Sequence, residues 1–496
     1  MMKRKWLLLC VCAALAFLLA ACGGNNAQND ANANDNDSGA ADETAGEPAD
    51  EPENADANND DGAADLDVYQ CQIYGTVTDA GQVVSSLGID FGESKKVTGA
   101  DEETFTVHAV ASTEEFRDGT DLESYGDYDI DRKIVKTETN GQEVMIYFDE
   151  SEGATLAYTS GSRNYPAQLT YTITQNKPLT LTAADGTVLD ENYMAAYECD
   201  NIISDPETSQ FEAVWVPDGI SYRFYDAGEN GEDINKLVVW FHGNGEGDLL
   251  NSGNNMAQML ANRGTVAWAS EEFQDILGGA YVMAFQAPDT WYYAQKDGLL
   301  DQAAEEIQDV IEKYNIDPKK VLVSGCSAGG YMTTRMIIAH PDLFAAAIIN
   351  CPAYNVATDR GGETPTDEEL EAVKASGVPV WLVQGVTDSV VATDECSRRL
   401  FNILSDGVDV TETKITQELP ENSDFVTYET PDGNYKLSLY DTTEDDQLRF
   451  AEDYDQDGEM SEVRYSSHWS WIYSLKNNPE AADGTHIVNW AAGFIA

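Results

Sequence analysis

Val321-Leu322-Val323-Ser324-Gly325-Cys326-Ser327-Ala328-Gly329-Gly330-Tyr331 sets a β-branched apolar run against Gly-x-Ser-x-Gly, and an apolar segment of helical character follows. That order predicts a strand, a sharp turn and a helix, the unit that presents a serine oxygen above a parallel sheet. Ser327 is therefore the candidate nucleophile. Gly325 and Gly329 flank it because a side chain at either position would collide with the neighbouring strand or helix. The five-residue pattern alone is weakly specific. A hydrolytic serine also needs a base, a carboxylate to orient that base, and backbone donors for a developing oxyanion.

Residues 207–496 read as strands alternating with helices. Strands are predicted at Lys236 to Phe241, Tyr281 to Phe285, Ala345 to Asn350 and Val378 to Gln384, and helices at Asn254 to Arg263, Tyr331 to His340 and Asp394 to Leu404. Leu300, Ala303, Ala304, Ile307, Val310, Ile311 and Tyr314 recur at helical spacing. Such alternation implies a mostly parallel sheet covered on both faces, with reactive groups at the carboxyl ends of its strands. Asp388 lies four residues past the strand ending in Gln384, where an orienting acid belongs; Asp394 is its main competitor. Only His468 and His486 follow Asp388. His468, in Ser466-Ser467-His468-Trp469-Ser470-Trp471, is the favoured base, because His486 stands at the start of a final packing helix. An imidazole suits the role because its pKa lies near neutrality. The turn Phe241-His242-Gly243-Asn244-Gly245 can aim backbone N–H groups at an oxyanion, so Gly243 and Asn244 are candidate donors together with Ala328. His242 is read as a brace of that loop.

Residues 68–206 read as about seven short strands with turn chemistry between them, including the hairpin signal Asn140-Gly141, and suggest an immunoglobulin-like β-sandwich. His108 falls inside one of these strands. The expected role is a spacer or a wall of the cleft. Residues 1–21 combine Lys3, Arg4 and Lys5 with a short apolar run and Leu19-Ala20-Ala21-Cys22, the layout of an export signal. Residues 22–67 contain no Lys or Arg and almost nothing that could build a core, which predicts a disordered acidic tether. Across 496 residues the net charge is −61, so nucleic-acid binding is excluded as an expectation. Cys71, Cys199, Cys326, Cys351 and Cys396 are spaced too widely for a zinc site. Cys71 and Cys199 lie near the two ends of the β-rich region, so an exported protein could join them.

The set Phe241-His242-Gly243, Gly325-Cys326-Ser327-Ala328-Gly329-Gly330-Tyr331-Met332, Asp388 and His468-Trp469-Ser470-Trp471 resembles the α/β-hydrolase superfamily. It looks most like prolyl-oligopeptidase-related esterases of the feruloyl-esterase and polyhydroxybutyrate-depolymerase kind, some of which carry an N-terminal Ig-like domain. The resemblance implies an α/β-hydrolase fold and a carboxylic ester hydrolase with Ser327, Asp388 and His468 as its triad, acting on a small or polymeric ester without a cofactor. It also implies that Ala287-Pro288-Asp289-Thr290-Trp291 lines the cleft, where Trp291 either touches substrate or serves as a packing tryptophan at an exposed edge. Leu19-Ala20-Ala21-Cys22 resembles a bacterial lipobox, which implies a lipid on Cys22 and anchoring at the cell surface, the only contact with membrane that is expected. Two features depart from the family. The first region is too short for the propeller of a prolyl oligopeptidase, which speaks against a peptidase. The acidic stretch Glu412 to Glu462 looks like an insert longer than a compact hydrolase needs. Within it, Asp453, Asp455 and Asp457 open like a calcium loop, but position twelve is Arg464 instead of a bidentate glutamate. The competing expectation is a non-catalytic solute- or glycan-binding lipoprotein.

Overall fold

Five segments, Leu237–Phe241, Tyr281–Phe285, Val321–Cys326, Ala346–Asn350 and Val380–Gly385, are buried along their whole length. Strands covered on both faces are apolar at nearly every position, and the buried polar exceptions Ser324, Asn350 and Gln384 fall toward their carboxyl ends. The computed structural model describes residues 66–216, 219–228, 234–248, 256–417 and 422–496. Within them these segments form the centre of a ten-stranded sheet. Its order runs Phe211–Val214, Tyr222–Tyr225, Tyr281–Phe285, Leu237–Phe241, Val321–Cys326, Ala346–Asn350, Val380–Gly385, Tyr435–Tyr440, Phe425–Glu429, Thr411–Ile415. From Tyr281–Phe285 to Tyr435–Tyr440 all neighbours are parallel; the strands outside them are antiparallel.

Side-chain alternation divides the interior into two apolar layers. Val239, Phe241 and Val323 face the layer that holds Ile307, Tyr331 and Met332. Val238, Trp240 and Leu322 face the opposite layer, with Trp268, Trp381 and Ile487. The helix Leu299–Tyr314 buries Leu299, Ala303, Ala304, Ile307 and Val310, four of them in the periodic set read from the sequence. The helix after Ser327, Ala328–Ala339, is buried along nearly all its length.

Several boundaries differ from expectation. Of Asn254 to Arg263, the described helix is only Ala257–Leu260; the chain then turns through Gly264, where a Cβ would lie 2.4 Å from the Trp240 ring. The helix expected from Asp394 begins at Ser397. The stretch Glu412 to Glu462 is no surface insert. It supplies three strands of the main sheet, and Tyr435–Tyr440 pairs in parallel with Val380–Gly385. Lys436 obscured that strand in the sequence. It is buried because its ammonium reaches Glu429 at 3.2 Å and lies over the Trp381 ring.

The N-terminal part is all-β, with thirteen strands between Val68 and Ser204 instead of about seven. One sheet has five strands, and smaller sheets have three, three and two. Asn140-Gly141 makes the expected hairpin between Ile134–Asn140 and Glu143–Phe148. His108 is a strand residue held by Asp129 and Asp131. Residues 67–496 form one compact unit. Across the seam Arg263 donates to the Val77 carbonyl at 2.7 Å, and Gln456 donates to the Phe148 carbonyl at 2.8 Å. The export signal, the tether and Cys22 lie outside the described residues. No helix among the described residues is long and apolar enough to cross a membrane.

Candidate active site

Ser327 stands between the strand Val321–Cys326 and the helix Ala328–Ala339 with φ 56° and ψ −115°. A non-glycine residue at positive φ is strained, and here the strain lifts the side chain off the end of the sheet. The turn is held tightly. A Cβ on Gly329 would lie 2.0 Å from the Phe241 carbonyl, and one on Gly325 2.5 Å from the Gly329 carbonyl. Ser327 N–H donates to the Asn350 carbonyl at 3.0 Å, tying the turn to the next strand.

Ser327 Oγ lies 2.9 Å from His468 Nε2. On the far side of the ring, Nδ1 lies 2.9 Å from Asp388 Oδ2 and 3.1 Å from Oδ1. The carboxylate is itself fixed, accepting from Val390 N–H, Val391 N–H and the Gln384 amide at 2.8–3.0 Å. Burial opposes the charge on Asp388, but the facing His468 and these N–H donors outweigh it and hold its pKa below the ordinary value. Burial likewise opposes a charged His468, and the Asp388 carboxylate outweighs it, so the imidazole pKa is raised. The Trp471 edge packs on the ring at 5.5 Å. Such a chain can draw the proton from Ser327 and stabilise the imidazolium that results. His486 instead caps the final helix Ile487–Ala492 and faces Glu480; Asp394 pairs with Arg398.

Ala328 opens its helix, so its N–H has no intrahelical acceptor and can serve an oxyanion. In the facing loop, Gly243 and Asn244 stand at the end of the strand Leu237–Phe241 and are the candidate donors opposite Ala328. His242 is a brace: its Nε2 accepts from Ala287 N–H at 2.9 Å, and its Nδ1 donates to the Gly243 carbonyl. Burial depresses its pKa to about 3, so it stays neutral. For Trp291 packing replaces the expected substrate contact, and the site is the core instead of an exposed edge. The indole is fully buried, with Nε1 donating to the His242 carbonyl at 3.0 Å, so it props the loop from behind and does not face substrate.

Sequence reading missed Arg163, which comes from the N-terminal β-domain. Its side chain is 6% exposed, and it bonds Asp289 through both the carboxylate (2.7 Å) and the carbonyl (2.8 Å). With the Asn244 amide nitrogen donating to Thr290, the amide oxygen accepts from Arg163 at 2.9 Å and from Arg360 at 3.2 Å. Glu246 was also missed. Burial raises its pKa to about 7, and its Oε2 has no hydrogen-bond partner. No local signal marks either residue, since their roles depend on contacts made across the seam and under the loop.

Asp453, Asp455 and Asp457 bring carboxylate oxygens within 4.8 Å of one another. Two of the expected ligands already cap the turn, Asp453 accepting from Asp457 and Gly458 N–H and Asp457 from Glu459 N–H. Arg464 pairs with Glu462. A cleft of about 560 Å³ lies in the seam between the domains, lined by residues such as Gln82, Asn201 and Leu260, and it contains none of Ser327, Asp388 and His468. The short distances around Ser327 outweigh cleft size in locating chemistry.

Residues 254–415 match the prolyl oligopeptidase family. No curated protein matches the sequence. Among solved structures, a thermostable esterase superposes with TM-score 0.59 at 21% identity, over 82% of this chain and 96% of its own. An acetyl xylan esterase from Aspergillus awamori gives 0.34 at 18% identity, over 47% and 93%. A poly(3-hydroxybutyrate) depolymerase from Bordetella parapertussis gives 0.27 at 16%, over 38% and 71%. The catalytic part of the chain has the α/β-hydrolase fold.

Proposed function

We propose that the chain is a serine hydrolase that cleaves carboxylic esters. The observation that carries this reading is the unbroken line from Ser327 Oγ through His468 to Asp388, with every link at 2.9 Å. Ser327 attacks the ester carbonyl as His468 Nε2 takes its proton. The tetrahedral oxyanion is held by the N–H group of Ala328 together with those of Gly243 and Asn244. The imidazolium then protonates the departing alcohol and leaves an acyl-enzyme, which water activated by His468 hydrolyses to the acid.

The match to the prolyl oligopeptidase family favours one second reading, a serine peptidase. The N-terminal domain weighs against it, because its sheets of five, three, three and two strands offer no propeller to sort peptides. We read that domain as an Ig-like sandwich, and the export signal and Cys22 as the means of anchoring the enzyme at the cell surface. Calcium at Asp453, Asp455 and Asp457 remains a subsidiary proposal. The deciding experiment treats the purified chain with a fluorophosphonate probe and then with a panel of acetyl, aryl and polymeric esters alongside proline-containing peptides. Probe labelling that is lost in Ser327→Ala, with ester turnover and no peptide cleavage, supports the esterase. Equal labelling of Ser327→Ala would overturn the assignment of the nucleophile.

A further inference from the structure

The N-terminal β-domain holds two thiols that have no part in the site around Ser327. Cys71 lies in the strand Val68–Thr78 and Cys199 in Ala196–Ser204, the first and last strands of that domain. The two strands run parallel, and Cys71 is the direct partner of Cys199 in the ladder. Opposed residues on adjacent strands project to the same face, and strands lie about 4.8 Å apart. A disulfide spans Cα separations of about 4.4–6.8 Å, so no backbone movement is needed to reach that range. Both side chains face one apolar cluster, Cys71 within it and Cys199 packed against it.

The ladder register shifts just after this pair, and Asn201 adopts φ 60° in the last strand. An irregularity of this kind re-aims side chains that a regular ladder would hold rigidly. The thiols are also in mutual contact, and their environments differ. A hydrogen bond from the Cys71 S–H holds the Cys199 pKa below the ordinary value, while the same bond and then burial push Cys71 well up. Cys199 is half-buried and Cys71 only 4% exposed, so the outer thiol is also the more acidic one.

We propose that Cys71 and Cys199 are a disulfide-forming pair that staples the first strand of the β-domain to its last. The oxidant is a low-molecular-weight disulfide, RSSR. The Cys199 thiolate attacks one of its sulfurs and expels RS⁻, forming a mixed disulfide. Cys71 then gives up its proton and attacks Cys199 Sγ, expelling the second RS⁻. The protein loses two electrons and two protons, and RSSR is reduced to two RSH. The bond closes nearly the whole domain into one loop and stabilises it chiefly by restricting the unfolded chain.

The full chain is incubated folded with oxidised glutathione, alkylated, digested without reduction and analysed by mass spectrometry. The expected result is a single major cross-linked species joining the peptides of Cys71 and Cys199. Dithiothreitol should then lower the melting temperature by roughly 3–10 °C. Cys71→Ala and Cys199→Ala should each melt at one temperature with and without dithiothreitol. Recovery of both cysteines as alkylated monomers after oxidation, or cross-links of either to a different cysteine, would overturn the proposal. Neither readout depends on enzymatic activity.

Discussion

Arg163 reaches out of the N-terminal β-domain and grips Asp289 in the catalytic part, its Nη2 lying 2.7 Å from the carboxylate and 2.8 Å from the carbonyl of the same residue. Asp289 leads into Thr290 and Trp291, the residues that support Asn244 and His242 from behind. The β-domain thus fixes the position of a candidate oxyanion donor, and a misplacement of about 1 Å at such a site costs on the order of 100-fold in rate. Arg163→Gln is expected to lower kcat for an aryl ester about 10- to 100-fold with KM changed less than about 3-fold. Arg163→Lys should recover part of the loss, because it keeps the charge but not the two-pronged geometry. Steady-state kinetics on folded variants checks this; a wild-type kcat in Arg163→Gln would reduce the contact to a domain tie.

Strain at Ser327 gives a second test. Its φ of 56° is costly for a side-chain-bearing residue and cheap for glycine. Ser327→Gly should therefore abolish activity while raising stability by about 1 kcal/mol. Ser327→Ala should lose activity, by at least about 10³-fold, without that gain. Thermal unfolding of the two variants side by side separates strain from chemistry.

The pH dependence follows from the raised pKa of His468. Only the neutral imidazole can accept the serine proton, so activity should rise with pH as His468 loses its own. Because Asp388 favours the charged ring, this acidic limb is expected above the ordinary histidine value of 6.5. Asp388→Asn removes that charge, so the limb should shift to lower pH while kcat falls about 10³- to 10⁴-fold. A profile of kcat/KM from pH 5 to 9 tests both parts, and an unshifted limb in the variant would contradict the pairing.

Glu246 affects stability in the opposite pH direction from a salt-bridged acid. Its carboxyl has an ordinary value of 4.5 and is raised to about 7 by burial in the folded protein. Between these values the folded chain keeps a proton that the unfolded chain has released. Its contribution is therefore complete below pH 4.5 and is lost as pH rises toward 7, a change of roughly 3 kcal/mol. Glu246→Gln should flatten that part of the stability curve, as read by denaturant unfolding at pH 5 and pH 7.5.

Parts of this site were legible because they depend on residues close in sequence. The strand, turn and helix around Ser327 follow from an apolar run meeting two glycines, and the space at those glycines is as tight as the pattern requires. Asp388 and His468 could be placed by their order after the strands, since a parallel sheet collects its carboxyl ends along one edge. Trp291 stayed open between substrate contact and packing because an aromatic residue beside a glycine-rich turn looks the same in sequence whether it faces the cleft or the core. The strand Tyr435–Tyr440 was hidden by Lys436, whose partners lie on neighbouring strands.

The sequence by itself determined the alternating architecture and the sharp turn at the serine, which rest on hydrophobic periodicity and local sterics, and it picked out the serine's two partners by their order along the chain. Tertiary structure alone decided that Arg163 braces the loop before Ser327, that Glu246 is buried without a full set of partners, and that Cys71 stands opposite Cys199. Each of these depends on contacts between residues distant in the chain, and such contacts are set by how the layers pack and leave no periodic trace in the sequence.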